Sequence, residues 1–179
     1  KSPAEIENLR VLDPACGSGS FLIYAYEVLA GFYRDTEFAF LDLETMGLFG
    51  GQPVVLAGIA RPARDNVIRF DQYLARDFPD EAALIAEVCR LLGRTRVLVT
   101  YNGRSFDVPF LEQRAAYYGI VFPDIPVHFD LLHFCRRTWK DRFGSCSLKS
   151  IERNVLRLTR DEDLPGELVP EFYHDFLRT

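Results

Sequence analysis

The chain has 179 residues, of which 48% are hydrophobic and 26% charged, so it can build the core of one domain of ordinary size. Its net charge of −5 argues against strong, indiscriminate binding to nucleic acid. The longest nearly apolar stretch, residues 21–33, contains Glu27 and is too short to span a bilayer, so no membrane partner is expected. Four cysteines without a CxxC pair, and a polar start without a signal peptide, favour a cytoplasmic location.

A glycine-rich segment comes first in the chain. Residues 10–13 are predicted to form a strand and residues 20–33 a helix, and the turn between them contains Gly17 and Gly19. Glycines at such a turn let the backbone approach a bound ligand closely. The segment resembles the first motif of N6-adenine DNA methyltransferases, which implies that Asp13, Gly17 and Gly19 are the remnant of an S-adenosylmethionine site.

An intact S-adenosylmethionine-dependent adenine methyltransferase is nevertheless the least favoured alternative for the whole chain. It would make Asp42 or Glu44 a ribose-binding acid, but the Asn/Asp-Pro-Pro-Tyr/Phe motif of that family is absent from the sequence. One strand and one helix cannot build a cofactor pocket, so S-adenosylmethionine binding is not expected. We expect the apolar helix to pack on the rest of the chain or on a second copy, which would allow self-association.

The remaining pattern predicts a mixed α/β sheet. Three strands that we expect to be antiparallel come first, at residues 38–44, 54–60 and 67–70. Apolar residues at helical spacing and short apolar runs then predict a helix ending at Gly93, a strand at 97–101, a helix at 106–118 and a strand at 127–130. Further helices are predicted at residues 131–139, 148–158 and 171–177.

Two carboxylates lie two residues apart on the first of these strands. Side chains alternate between the faces of a strand, so Asp42 and Glu44 share the face of Phe40, whereas Leu41 and Leu43 point the other way. Two acids on one face of an apolar strand repel each other unless a divalent cation is present. A strand end that reaches solvent is the simpler alternative for this pair.

A third acid, Asp107, is expected at the start of a helix that follows a buried strand. Pro109 is tolerated only in the first helical turn, which fixes the start of the helix near Phe106. In an open α/β sheet this point lies at the end of a central strand, where binding sites form. Taken alone, Asp107 could equally be an ordinary acid favoured by a helix N-terminus.

Together these motifs closely resemble the DnaQ-like superfamily of DEDD nucleases, within the RNase H-like fold and nearest to its YprB-type branch. The resemblance covers residues 36–179 and rests on Phe40-Leu-Asp-Leu-Glu-Thr45 and on residues 100–111, with weaker matches at 146–152 and 164–166. It implies an RNase H-like mixed five-stranded sheet flanked by helices, preceded by the methyltransferase-like fragment of residues 1–35. A natural fusion, a rearranged gene and an engineered chimera are the alternatives for that join.

The resemblance also implies a catalytic metal site of Asp42, Glu44 and Asp107. Asp42 would bridge two Mg²⁺ or Mn²⁺ ions, Glu44 would bind one of them and Asp107 the other, with the ions about 4 Å apart. By the same resemblance a fourth Asp follows on a helix near the C-terminus of the domain, just beyond Thr179, where the sequence ends. We therefore expect an incomplete site with low metal affinity and weak or absent turnover.

A stripe of basic residues is predicted on the helix at residues 148–158. At a spacing of four residues, Lys149, Arg153 and Arg157 lie close together on its outward face and could bind the phosphates of a strand. A merely solvated helix face is the alternative. The sequence thus favours a metal-dependent 3′–5′ exonuclease acting on single-stranded DNA or RNA, with a non-catalytic nucleic-acid-binding module as the second hypothesis.

Overall fold

A computed structural model describes residues 38–47, 49–63, 67–158 and 164–178. Its central element is a sheet of five strands: β1 (Phe38–Thr45), β2 (Val54–Pro62), β3 (Ile68–Leu74), β4 (Val97–Thr100) and β5 (Val127–Asp130). Their spatial order is β3-β2-β1-β4-β5. The first three strands are antiparallel, whereas β4 runs parallel to β1 and β5 parallel to β4. The predicted mixed five-stranded sheet flanked by helices is confirmed.

The helices follow the predicted order. They are α1 (Glu81–Leu92), α2 (Asp107–Tyr117), α3 (Leu131–Phe143), α4 (Leu148–Ile151) and α5 (Val169–Phe176). Among the described residues, none of the helices has the length and apolar character needed to cross a membrane. The predicted strand–loop–helix of residues 1–35, including Asp13, Gly17 and Gly19, lies outside the described residues.

Each face of the sheet carries its own hydrophobic cluster. Ala39, Leu41 and Leu43 of β1 pack on one face against α1 and α2, in a cluster that includes Ile85 and Leu111. Phe38 and Phe40 pack on the other face against α3 and the segment after it, with Leu132, Cys135 and Ile151. We call these cluster 1 and cluster 2. The alternation expected for β1 is therefore present, because consecutive residues contribute to opposite clusters.

The segment after α3 differs from its prediction. The expected helix at residues 148–158 is α-helical only as far as Ile151 and continues as a π-helical turn over Glu152–Leu156. It ends at Arg157, whose φ of 58° is left-handed. Because a π-turn contains more residues than an α-turn, both Val155 and Leu156 pack on cluster 2 after Ile151, and the basic residues do not follow one α-helical stripe. Leu158 lies beyond the end of the helix.

A buried ion pair fixes α1, α2 and the β1–β2 loop relative to one another. Glu81 at the start of α1 is only 1% exposed, and it accepts hydrogen bonds from the guanidinium of Arg114 on α2 and from the Tyr118 hydroxyl. Glu81 also accepts the N–H of Val54 at 2.8 Å, and Arg114 donates to the Gly51 carbonyl at 3.1 Å. Since α2 begins with Asp107, this network also fixes the helix that carries the third predicted acid.

Replacing Arg114 with Leu should therefore destabilise the domain strongly. The substitution leaves the Glu81 carboxylate buried without its cationic partner, which costs on the order of 3 kcal/mol in unfolding free energy. Urea unfolding followed by circular dichroism measures this loss. Arg90→Leu is the matched control. It breaks an exposed ion pair within α1, between Arg90 and Glu87, and should change the unfolding free energy little. Equal stability of the two variants would contradict the account.

Candidate active site

The first two predicted acids lie at the carboxyl end of β1. Asp42 and Glu44 are half-buried and alternate with Leu41 and Leu43, so they lie on the cluster 2 side of the sheet. The last residue of β1 that pairs with β4 is Phe40, opposite Val99. Both acids are therefore on the part of β1 that continues beyond its parallel neighbour, at the edge where ligands bind in such sheets.

Asp107 reaches this part of β1 from the start of α2. Its side chain is 4% exposed, and its Oδ1 accepts the backbone N–H of Leu43 at 2.9 Å. Leu43 stands between Asp42 and Glu44 in the sequence, so the third predicted acid is held against the strand that carries the first two. An acid 64 residues away thus takes the place of a strand partner for a buried N–H.

The electrostatics of the site identify which acids lie near one another. Burial raises the pKa of Asp107 to about 8, the Asp42 carboxylate adds to this effect, and the Leu43 N–H opposes it. A smaller contribution in the raising direction comes from Asp130. Asp107, held on Leu43, therefore lies near enough to Asp42 for the two carboxyl groups to interact, and burial and this neighbour both favour its protonated form.

The loop between β4 and α2 makes a tight turn that positions Asp107 at the start of α2. Asn102 adopts a left-handed φ of 67°, and its carbonyl accepts the N–H groups of Ser105 and Phe106 at 3.1 and 3.2 Å. A Cβ at Gly103 would lie 2.5 Å from the Thr100 side chain, so only glycine allows this close approach. The Asn-Gly pair therefore makes a tight strand-to-helix turn, and the helical interpretation of the residues after it is confirmed.

Asp130 holds this loop and was missed as a site residue by the sequence reasoning. One carboxylate oxygen accepts the N–H of Asn102 at 2.9 Å and of Leu132 at 3.0 Å, and the other accepts the N–H of Arg104 at 3.0 Å. Asp130 thereby caps α3 and ties the β4–α2 loop to β5. Its position at the end of a predicted strand, just before a helix, was the available signal.

The donor chemistry suits a hard divalent cation. Carboxylate oxygens are the ligands that Mg²⁺ and Mn²⁺ prefer, and a cation would compensate the repulsion between Asp42 and Asp107. The residues described here contain no group of three His, Cys, Asp or Glu side chains that could hold a metal ion. The structure thus brings Asp42 and Asp107 together but does not gather Glu44 with them around one point.

The predicted nucleic-acid contacts lie on the same side of the sheet. Lys149, Arg153 and Arg157 are exposed on the segment whose Leu148 and Ile151 pack on cluster 2. Phe106, which precedes Asp107, packs on cluster 1 with its ring centroid 4.6 Å from that of Phe110. Two tyrosines are tied down by their hydroxyls, because Tyr101 donates to the Cys146 carbonyl and Tyr118 to Glu81.

Comparison with solved structures shows the same fold in nucleic-acid enzymes. The family B DNA polymerase from the hyperthermophilic archaeon Pyrobaculum calidifontis aligns with a TM-score of 0.62 and 20% identity, over 78% of this chain and 21% of the polymerase. E. coli Exonuclease I in complex with a dA16 oligonucleotide aligns with a TM-score of 0.54 and 15% identity, over 77% of this chain and 40% of the exonuclease. At such identities the likeness concerns the fold alone.

Sequence comparison identifies the family. The chain is 37% identical over 150 residues to the uncharacterized protein YprB of Bacillus subtilis (strain 168), and the match covers 82% of this chain. The chain spans only 36% of that relative's length. The RNase_H_2 model, of the RNase_H superfamily, matches residues 39–179, which include Asp42, Glu44 and Asp107. The chain therefore belongs to the RNase_H_2 family of the RNase_H superfamily.

Proposed function

We propose that this domain is a metal-dependent nuclease, a 3′–5′ exonuclease that hydrolyses phosphodiester bonds. The observation that carries the proposal is the hydrogen bond from Leu43 to Asp107, which holds a buried carboxyl beside Asp42 at the carboxyl end of β1. A purely structural acid at a helix start gains nothing from a second carboxyl close to it. A site that binds cations requires such a pair.

Asp42 and Asp107 would hold Mg²⁺ or Mn²⁺, and Glu44, on the same face of β1, is proposed as a further ligand although it is not gathered around the same point. Bound there, divalent cations lower the pKa of water and neutralise charge on the attacking and leaving oxygens of a phosphodiester. The protein's part is to hold the carboxylates in place: Leu43 orients Asp107 from one side, and the loop tied to Asp130 orients it from the other. Burial keeps water away from Asp107 and strengthens its interaction with charge.

Single-stranded DNA or RNA is the substrate class we propose. The likeness of fold to E. coli Exonuclease I, seen in complex with a dA16 oligonucleotide, supports a nucleic-acid substrate. The exposed cations Lys149, Arg153 and Arg157 lie on the segment that packs over the acid-bearing face of β1. Phosphates could therefore be bound beside the acids despite the negative net charge of the chain.

A non-catalytic nucleic-acid-binding module is the second candidate. It is favoured by the lack of a ready three-ligand group among the described residues. The S-adenosylmethionine-dependent methyltransferase alternative draws no support from the described residues, because its motif lies outside them.

Substitution of the acids separates these candidates. Asp42→Asn and Asp107→Asn should each reduce Mn²⁺-dependent hydrolysis of a single-stranded oligonucleotide by about a hundredfold or more, since metal ions supply several kcal/mol to this reaction. Electron paramagnetic resonance of Mn²⁺ gives a second readout, in which the wild type should bind Mn²⁺ more tightly than either variant. Asp124→Asn, at an exposed acid in the α2–β5 loop, should behave as the wild type.

Two results would contradict the nuclease proposal. One is hydrolysis that survives both substitutions, which would place the reaction elsewhere or in a contaminant. The other is oligonucleotide binding without any Mn²⁺ binding or hydrolysis, which would favour the non-catalytic module.

The pH dependence of stability should report the proton on Asp107. Its pKa of about 8 in the folded state lies above the unfolded value of about 3.9, so the folded state binds the proton more tightly. In EDTA, the contribution of Asp107 to the unfolding free energy should be greatest below about pH 4. It should fall by roughly 1 kcal/mol per pH unit above pH 4 and level off above pH 8.

Asp107→Asn supplies the control, because its amide oxygen can still accept the Leu43 N–H but cannot titrate. Urea unfolding of both proteins across this pH range measures the difference, which should grow in favour of the variant as the pH rises. Parallel curves would show that Asp107 has an ordinary pKa and that the acids are not close.

A further inference from the structure

A cavity of about 680 Å³ opens between α3, the loop that follows it and the residues after β4. Two cations on α3 line it, Arg136 and Lys140, together with Tyr101, Asn102 and the serines Ser145 and Ser147. Its apolar floor includes Leu132 and Cys146, which are buried in cluster 2. The cavity therefore combines a rigid apolar base with a polar and cationic rim.

The two cations have no charge partner in the part of the chain described here. Arg136 and Lys140 are one helical turn apart, where like charges destabilise a helix. Lys140 lies in the last turn of α3, where the helix dipole stabilises a cation. Arg136 lies one turn earlier, where the dipole gives no such stabilisation. Arg136 is close enough to Tyr101 for its positive charge to act on the pKa of the Tyr101 hydroxyl in the lowering direction. An anion between the two cations would relieve their repulsion.

The walls of the cavity are fixed by hydrogen bonds. The Tyr101 hydroxyl donates to the Cys146 carbonyl at 2.6 Å, which joins the end of β4 to the loop after α3. The backbone N–H of Asn102 donates a hydrogen bond to the Asp130 carboxylate at 2.9 Å. Such a preformed pocket loses little conformational freedom when it binds a ligand.

The cavity adjoins the acids through the same loop. Tyr101 and Asn102 begin the segment that ends at Asp107. Leu132 and Cys146 of the cavity floor belong to cluster 2, which packs on the sheet face where Asp42 and Glu44 lie. A ligand bound at the cations is therefore at the same end of the sheet as the acids. Its volume falls within the usual range of about 300–1,000 Å³ for ligand sites, and a lone phosphate would leave most of it unfilled.

We infer that this cavity is a subsite for one nucleotide of the bound strand, with a phosphate of that strand held by Arg136 and Lys140. The inference rests on the proposed function, because it takes a nucleic-acid strand as the ligand of the domain. Contact through phosphate carries no sequence information, so the subsite would position the strand relative to the acids without selecting bases.

Binding in EDTA tests the subsite without requiring catalysis. The double variant Arg136→Gln/Lys140→Gln should bind a short fluorescent oligothymidylate, or its oligouridylate counterpart, about tenfold more weakly by anisotropy. The dependence of log K on log salt concentration should become shallower by about 0.7, the value expected for one neutralised phosphate on a single strand. Arg137→Gln/Arg142→Gln is the matched control, because it removes the same charge from exposed positions on α3 outside the cavity and should stay within about twofold of the wild type.

Several results would overturn the inference. One is an equal loss of oligonucleotide affinity in the two double variants, and another is a wild type that binds no oligonucleotide. A third is calorimetric binding of inorganic phosphate at the cavity while Arg136→Gln/Lys140→Gln leaves oligonucleotide binding unaffected. Failure of the nuclease proposal would look different. In that case the cavity variant loses binding while the wild type shows no hydrolysis sensitive to Asp107→Asn. Conversely, hydrolysis that needs Asp107, with normal binding by the cavity variant, would reject the subsite alone.

Discussion

The arrangement of the site depends on one buried N–H group. β1 continues past the last residue that β4 can pair with, so the N–H of Leu43 needs an acceptor that no strand provides. Asp107, the first residue of α2, supplies this acceptor, and its Oδ1 lies 2.9 Å from the Leu43 nitrogen. The same bond places this carboxyl close to Asp42, where burial and like charge raise its pKa. One side chain thus meets a requirement of the fold and supplies a ligand of the proposed cation site.

The surrounding structure fixes both ends of this hydrogen bond. On the side of α2, Gly103 permits the tight turn after β4, and Asp130 holds the loop by the N–H groups of Asn102 and Arg104. At the far end of α2, Arg114 joins the helix to the buried Glu81 and to the β1–β2 loop. Movement of α2 along its axis would therefore break interactions at both of its ends.

Much of this could be predicted from the sequence because it depends on local pattern. Alternation along β1 placed Asp42 and Glu44 on one face, and Pro109 placed Asp107 at the start of its helix. The sheet itself followed from the short apolar runs. The boundaries were less accurate, since β3 extends to Leu74 and α3 to Phe143, beyond the residues whose apolar spacing was recognised.

The features that escaped prediction depend on neighbours in space. Asp130 acts on backbone groups of a loop that only the pairing of β4 with β5 brings near it. Glu81 and Arg114, which pair across two helices, are 33 positions apart in the sequence. The π-turn after Ile151 breaks the assumption of 3.6 residues per helical turn, on which the basic stripe of Lys149, Arg153 and Arg157 was based.

Crystals of the protein soaked with Mn²⁺ would test the central claim most directly. Anomalous scattering should show Mn²⁺ bound by carboxylate oxygens of both Asp42 and Asp107, with Asp107 still accepting the Leu43 N–H. Mn²⁺ bound only at other places on the protein, with these two carboxyl groups in contact with each other or with water alone, would contradict the account.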